Sequence, residues 1–441
     1  MNKTRIAGRP WRRASAALVL ALTSALVVTA CGGTDSGDKD GSDGQVTLTF
    51  WTRGTGSEEL AERFHSQQSD IRVEITRVGG AEYVTKLATA SRSGDAPDIL
   101  DLDIIQAPLF SAENLLADIT DKVNALDFVD SINTAQMDIS KYQGVTYAVP
   151  NIAGPSVLMY NKDIFRKIGM DPEKAPSTWA EIEEAAQKAT ALGDGTYGYS
   201  IPVACGACLA YITYPLIWAS GGDVIVGEPG PDQHTVYSED PAVEATFEFL
   251  SGLWEKGYIN PAEESETGAT WGESFSAGKL AILVGTPEGY ASAVAAGVDV
   301  GVAPIPGKDG DFSTFVGGDL LAITAQSEHV EEAWTFIEWM LQPEQQEYLA
   351  EVGLAPVRLD MLDDEFLAKY PASAAALKAM ERGQVPNTVA WQAIAGDNSS
   401  PFYKAFQESV VYDGDIPALL AKADEDSNAL IKEAAQDLGL G

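Results

Sequence analysis

Residues 45–105 read QVTLTFWTRGTGSEELAERFHSQQSDIRVEITRVGGAEYVTKLATASRSGDAPDILDLDII. Val46, Leu48 and Phe50 alternate with polar residues, the period-two signature of a strand with one buried face. TGSEELAERFHSQQ opens with Thr55 and Glu58 at capping-box spacing and sets Leu60 and Phe64 on one helical face. IRVEITRV alternates again, AEYVTKLATASRSG reads as a helix, and PDILDLDII reads as a strand. Strand–helix–strand–helix–strand is the rhythm of a parallel sheet wrapped by helices, so the expected fold class is α/β.

Upstream the chain changes character. Lys3, Arg5, Arg9, Arg12 and Arg13 precede ASAALVLALTSALVVTA, a run of signal-peptide length. Thr29 and Ala30 then lead into Cys31, which resembles a bacterial lipobox, where the cysteine carries the lipid and begins the mature chain. GGTDSGDKDGSDG follows with no apolar side chain to bury, and reads as a tether reaching about 20 Å. Residues 1–30 are therefore expected to be a lipoprotein signal peptide and 31–44 a flexible tether. Cys31 would anchor an otherwise soluble protein to the outer face of the cytoplasmic membrane. The Arg12–Arg13 pair allows twin-arginine export, although the residues after it fit that signal poorly.

The remaining length of about 400 residues suits two domains better than one core. The chain carries a formal charge of -36, and the leader holds five basic residues and no acid, so the mature chain stands near -41. Such a surface repels nucleic acid and anionic lipid and keeps an extracytoplasmic protein soluble. His65, His234 and His329 lie far apart without a second ligand at metal spacing, so neither a metal nor a cofactor is expected. Cys205 and Cys208 form a C-x-x-C, which can be a redox pair, half a zinc site or a short disulfide. Export favours the local disulfide.

Further along, STWAEIEEAAQKATALG reads as a helix capped by Thr178 and Glu181, buried through Trp179, Ile182 and Ala186, and closed by Gly193. KLAILVG and DVGVAPIPG read as strands. EHVEEAWTFIEWMLQPEQQEYLAEVG is amphipathic, with Val330, Ala333, Trp334, Ile337 and Leu341 on one stripe, and the tail from Asp415 is helical.

Several stretches line up in order: SGDAPDIL (93–100), YAVPNIAGPSVLMYNKDIFRKIGMDPEKAPSTWAEI (147–182), AYITYPLIWASGGDVI (210–225), FSAGKLAILVG (275–285) and VGGDLLAITAQSEHVEEAWTFIEWMLQPEQQEYLAEVGLAPVR (316–358). Together they resemble the solute-binding lipoproteins of ABC sugar importers, the large family that includes maltose-binding protein. YNKDIF…GMDP…P.TW.E is the most specific piece. The resemblance implies a two-lobe periplasmic-binding-protein-like fold with a hinge and an interlobe cleft that closes on its ligand. Lobe one would take 45–152 and 312–358, and lobe two 153–311 and 359–441. It further implies a small-carbohydrate ligand, permease subunits as partners, no nucleic acid, membrane contact through the lipid alone, and a monomer.

Polyols are held by carboxylates, amides and Arg on their hydroxyls and by aromatic faces on their C–H patches. Arg53 follows the first strand, and Asp103 and Gln106 follow PDILDL. Relatives reading DVVW use the acid on a sugar; Asp103 matches it, and Gln106 replaces the aromatic. Asp101 reads as a cap outside the contact set. Asn151 stands near the lobe crossing. Tyr211 matches a ligand-contacting tyrosine of maltose-binding protein, with Tyr214, Pro215 and Leu216 as core. CGAC lies just before it and would shape the cleft wall. Trp271 and Glu273 precede SFSAGKLAIL, Arg358 ends LAPVR, and Trp391 is a surviving aromatic. Relatives place aromatics where this chain has Gln106, Thr286–Pro287 and Asp319, which implies a site richer in hydrogen bonds than in stacking. A mono- or disaccharide, polyol or amino sugar fits that better than a long maltodextrin. Two other classes remain. A glycosidase would need two carboxylates across a cleft, for which Asp103 and Glu273 are the pair at hand. A sensing or adhesion receptor could use the same fold without an importer.

Overall fold

A computed structural model of the protein describes residues 44–54 and 56–440. The leader, Cys31 and nearly all of the tether lie outside the described residues, as does Thr55. The residue at the N-cap of the first helix is Gly56, at a positive φ of 90°.

The opening stretch folds in the expected order: β1 (Val46–Thr52), α1 (Ser57–Gln67), β2 (Ile71–Arg77), α2 (Gly80–Ser93) and β3 (Ile99–Asp103). β1 lies parallel to both β2 and β3, with Val46 opposite Ile71 and Phe50 opposite Ile99. Two further strands, β4 (Ala148–Pro155) and β5 (Val157–Asn161), follow almost without a break. Helices α3 (Trp179–Thr190) and α4 (Gly206–Ala219) come next. Then come β6 (Ile282–Gly285), α5 (Pro287–Ala295), β7 (Val300–Ala303) and β8 (Val316–Ile323). α6 (Val330–Met340), α7 (Pro343–Glu351), the short β9 (Ala355–Pro356) and the long tail helix α8 (Ile416–Asp437) complete the framework.

The larger sheet has six strands in the order β9-β4-β8-β3-β1-β2. Only the β2-β1-β3 part is parallel. β8 enters antiparallel to both β3 and β4, and β9 antiparallel to β4. The expectation of a parallel sheet thus holds for the N-terminal half, where helices return the chain, and fails where distant segments are added later. Both faces are covered. Leu48, Phe50, Leu60 and Phe64 pack with Phe336 and Ile337 of α6 on one side, while Tyr83, Leu87, Leu100 and Leu102 pack with Leu320 on the other.

The smaller sheet runs β6-β5-β7, all antiparallel pairs. Its Leu158, Ile282 and Val284 join α3 and α4 in a separate cluster. α3 shows the expected cap, since Thr178 Oγ accepts from the Glu181 N–H at 3.2 Å. Glu181 in turn accepts from the Ser177 N–H at 2.7 Å, one residue before the reciprocal partner of a capping box. α4 is buried nearly all round, including Tyr214, Pro215 and Leu216.

The stripe read as one amphipathic run is two helices. Pro343 lacks the N–H that a continuing helix needs and instead starts α7.

Three chain segments pass between the two sheets side by side. Ser156 links β4 to β5, and Phe315 precedes β8. The Phe315 N–H donates to Ser156 Oγ at 2.9 Å, and the Ser156 N–H donates to the Phe315 carbonyl at 3.1 Å. The third segment joins at Gln384, whose N–H donates to the Thr314 carbonyl at 3.0 Å and whose carbonyl accepts from Val316 at 2.8 Å. Residues beyond 358 pack against both sheets: Ala376, Leu377 and Met380 share a cluster with Phe336 and Leu349 and with Met159 and Leu283 of the smaller sheet.

Candidate functional site

The ends of three neighbouring strands set the charged centre. β1 finishes at Thr52, so Arg53 leaves the sheet beside the end of β3. The antiparallel register of β8 on β3 places Asp319 directly opposite Asp103. Arg53 Nη1 lies 3.0 Å from Asp103 Oδ2, and its Nη2 donates to Asp319 Oδ1. One guanidinium therefore bridges two carboxylates.

Asp101 sits behind this bridge. It is 2% exposed, accepts from the Thr52 hydroxyl at 2.6 Å, and approaches the N–H groups of Arg53 and Gly54 at 3.4 Å each. It is not a helix cap: Asp103 does that work, accepting from the Ile105 N–H at the start of a short 3₁₀ turn. Asp101 instead holds the turn that launches Arg53.

The charges bias one another. Burial works against the Arg53 charge, but Asp103, Asp319 and Asp101 outweigh it and raise its pKa further. Burial, then the charge of Asp101, pushes Asp319 above the usual carboxylate range, with Arg53 opposing. Asp101 is also raised, first by burial, with Thr52 and Arg53 pulling back.

A bulge helps to aim Asp319. The β8–β4 pairing slips between Asp319 and Leu320, so Asn151 is left without an opposite residue. Gln346 of α7 fills the gap, donating to the Asn151 carbonyl at 3.2 Å. Gln136 Nε2 binds the Ile152 and Gly317 carbonyls at 3.2 and 3.1 Å on the same stretch. Gly318 has a φ of +129°, and a Cβ there would sit 2.0 Å from the Ile152 carbonyl oxygen, so only glycine fits this crossing.

These groups open into a cleft of about 500 Å³. Of the residues singled out from the sequence, Arg53, Asp103, Tyr211, Trp271, Asp319 and Trp391 line it. Tyr211, on α4, donates to the Gly154 carbonyl at 3.0 Å. Burial, followed by Glu288 and Asp103, raises its pKa well above the ordinary value, so it stays a donor. Its ring meets Trp271 edge-on at 6.1 Å and Phe315 at 5.4 Å, and Phe315 meets Trp391 at 5.8 Å. Cys205 and Cys208 are joined by a disulfide, and Cys208 also lines the cleft.

Four expected residues stand elsewhere. Gln106 precedes the helix Ala107–Ala112 as its N-cap residue and does not face the cleft. Asn151 is 2% exposed and is held in the bulge by Gln346. Glu273 begins the short helix Glu273–Ser276 and lines a separate cavity of about 150 Å³ with Glu263 and Glu266. There burial pushes the Glu263 carboxyl up to about 7. Arg358 is taken by Asp360 and lies 3.8 Å over the Phe128 ring. Asn151 and Arg358 are thus already engaged by their neighbours.

Other cleft residues were not among the ligand contacts read from the sequence. Thr286 caps α5, accepting from the Gly289 N–H at 3.1 Å, and Glu288 follows in the first turn at the cleft edge. Thr-Pro-Glu after a strand is a helix-start signature, and a strand end is where a cleft residue belongs. Phe315 carried no such signal, because only the crossing at Ser156 sets it beside Tyr211.

Residues 59–376 match the model of the bacterial extracellular solute-binding protein family. The diacetylchitobiose binding protein of Streptomyces coelicolor is 26% identical over 390 residues, covering 84% of this chain and 88% of that protein. A maltooligosaccharide ABC transporter solute-binding lipoprotein of Streptococcus pneumoniae is 23% identical over 346 residues, covering 76% of this chain and 78% of its own. The structure of the sugar-binding protein MalE from Xanthomonas citri superposes with a TM-score of 0.78 at 21% identity, covering 90% of this chain and 100% of that one. That likeness shows the two-lobe α/β fold.

Proposed function

The chain belongs to the bacterial extracellular solute-binding protein family, and on that premise we propose that it captures a small carbohydrate in the Arg53–Asp103–Asp319 cleft and delivers it unchanged to an ABC importer. The observation that carries this reading is the pairing, in one cleft, of carboxylates and a guanidinium with the faces of Tyr211, Trp271 and Trp391. Carboxylates and Arg bind vicinal hydroxyls, and aromatic faces cover the C–H side of a sugar ring. The relatives named for diacetylchitobiose and maltooligosaccharides point to the same ligand class.

The lobes we assign follow the three crossings. Lobe one carries the six-stranded sheet and reaches past 358 to about Gln384, and lobe two carries the three-stranded sheet, α3, α4 and the tail helix. Backbone hydrogen bonds at Ser156, Phe315 and Gln384 make these segments a compact hinge for closure over the ligand. The lipid on Cys31 would hold the protein at the outer face of the membrane, as a monomer, beside its permease. Asp103 and Asp319 share one Arg53, an arrangement for binding and not for a general acid facing a base. The Asp103–Glu273 pair weighed for a glycosidase is divided between two cavities.

A thermal-shift panel of mono- and disaccharides on the full chain tests this, because a ligand that binds only the folded state raises the melting temperature. At least one saccharide should raise it and be recovered intact. Release of a cleaved product, or no shift with any saccharide, would overturn the reading.

A further inference from the structure

The cleft has more negative charge than its one cation balances. Asp103, Glu288 and Asp319 line it; among its described lining residues the single cation is Arg53. Arg53 is committed to Asp103 and Asp319. Burial favours the neutral form of Asp319 and of Asp101 behind it, so the unbalanced charge is that of Glu288, exposed in the first turn of α5 without an ion-pair partner among the described residues. The acids at the charged centre are not part of the solvated surface that makes the whole chain acidic. The side chains of Asp103 and Asp319 are 28% and 14% exposed, and Asp101 is 2% exposed with Oδ1 lacking any hydrogen-bond partner.

Tyr211 gives its proton to Gly154, while the indole N–H groups of Trp271 and Trp391 have no hydrogen-bond partner among the described residues, so it is charge, and not a shortage of donors, that favours a cation. Aromatic faces at Tyr211, Trp271, Phe315 and Trp391 line the same space, and aromatic faces attract cations.

Resting on the carbohydrate reading above, we propose that the ligand is a sugar bearing a free, protonated amine, whose ammonium is held by the carboxylates of this cleft beside its aromatic wall. A protonated amine brings three donors and the missing positive charge to one point. A neutral hydroxyl brings one donor and no charge, and an N-acetyl group brings one donor and an added acceptor.

Calorimetry on the full chain with matched triplets tests this: D-glucosamine, N-acetyl-D-glucosamine and D-glucose, then the corresponding galactose-configured sugars and the β-1,4-linked disaccharides. In at least one triplet the free amine should bind about tenfold or more tighter than both neutral partners at low salt, with the preference shrinking as salt is added. Glu288→Gln should reduce that preference; an undiminished preference in the folded variant would overturn the assignment of the ammonium to these carboxylates. If a neutral member binds as tightly as the amine in every triplet that binds, the cationic ligand is ruled out and the carbohydrate reading stands. If no member binds at all, the amine proposal falls, and the thermal-shift panel of saccharides decides the carbohydrate reading separately.

Discussion

The two sides of the cleft are built on different physics. Its floor is the end of the six-stranded sheet, where Arg53, Asp103 and Asp319 are fixed by strand register, a bulge and the buried Asp101. Its opposite wall is aromatic and rests on α4, the Trp271 segment and Trp391, with the Cys205–Cys208 bridge at the helix start. The floor is held by charge and main-chain pairing. The wall is held by ring packing and a covalent staple. A floor of this kind keeps its geometry before a ligand arrives, while a wall of rings can tighten when the lobes close.

The largest effect should come from breaking the floor. Arg53→Met leaves two partly buried carboxylates without their counter-charge above Asp101, and should destabilise the fold by about 3 kcal/mol. Denaturant unfolding measures it. Adding Asp319→Asn to that variant should restore part of the loss, because the second change removes one of the stranded charges; simple additivity would show that the floor is not an electrostatic unit.

Breaking the wall should cost less. Replacing both Cys205 and Cys208 with Ser opens a short loop, worth about 2 kcal/mol by chain entropy. The Gly268 turn should loosen with it, since a Cβ at Gly268 would lie 2.9 Å from Cys208 Sγ and 3.3 Å from Cys205 Sγ, and that turn leads directly to Trp271. Ligand affinity should therefore fall along with the melting temperature. An unchanged affinity would mean that the disulfide has no part in shaping the wall.

The smallest change joins the two sides. Tyr211→Phe removes the hydrogen bond from α4 to Gly154 of β4 and should cost about 1 kcal/mol in stability. Its ring remains against Trp271 and Phe315, so the wall should keep its shape. A loss as large as that of Arg53→Met would make the bond, and not the floor, the main support of the cleft.

The same contrast explains what could be read from the sequence. Periodicity put Arg53 and Asp103 at the ends of alternating strands in one βαβαβ unit, and likeness to relatives then assigned Asp103 and Asp319 to the cleft. Tyr211, Trp271 and Trp391 were found by residue type and by likeness to relatives. Arg358 and Asn151 have equally suitable chemistry, but Asp360 and Phe128 capture one and Gln346 holds the other in a bulge. Those are long-range outcomes that no local pattern encodes. Pro343 was a visible helix start inside an amphipathic stripe, and the stripe obscured it. Glu288 was visible too, as the second residue of a helix opened by Thr286 and Pro287 after a strand.

The central claim is that the charged floor touches the ligand. Calorimetry with a saccharide that shifts the melting temperature, on the wild-type chain and on Asp103→Asn, tests it most directly. The amide oxygen can still cap the Ile105 N–H and Arg53 keeps Asp319 as a partner, so the variant should remain folded. Binding should weaken by about 1.5–3 kcal/mol, the range for a hydrogen bond to a charged group, or about ten- to a hundredfold in Kd. Wild-type affinity in a folded Asp103→Asn variant would contradict the account and move the ligand off the sheet end.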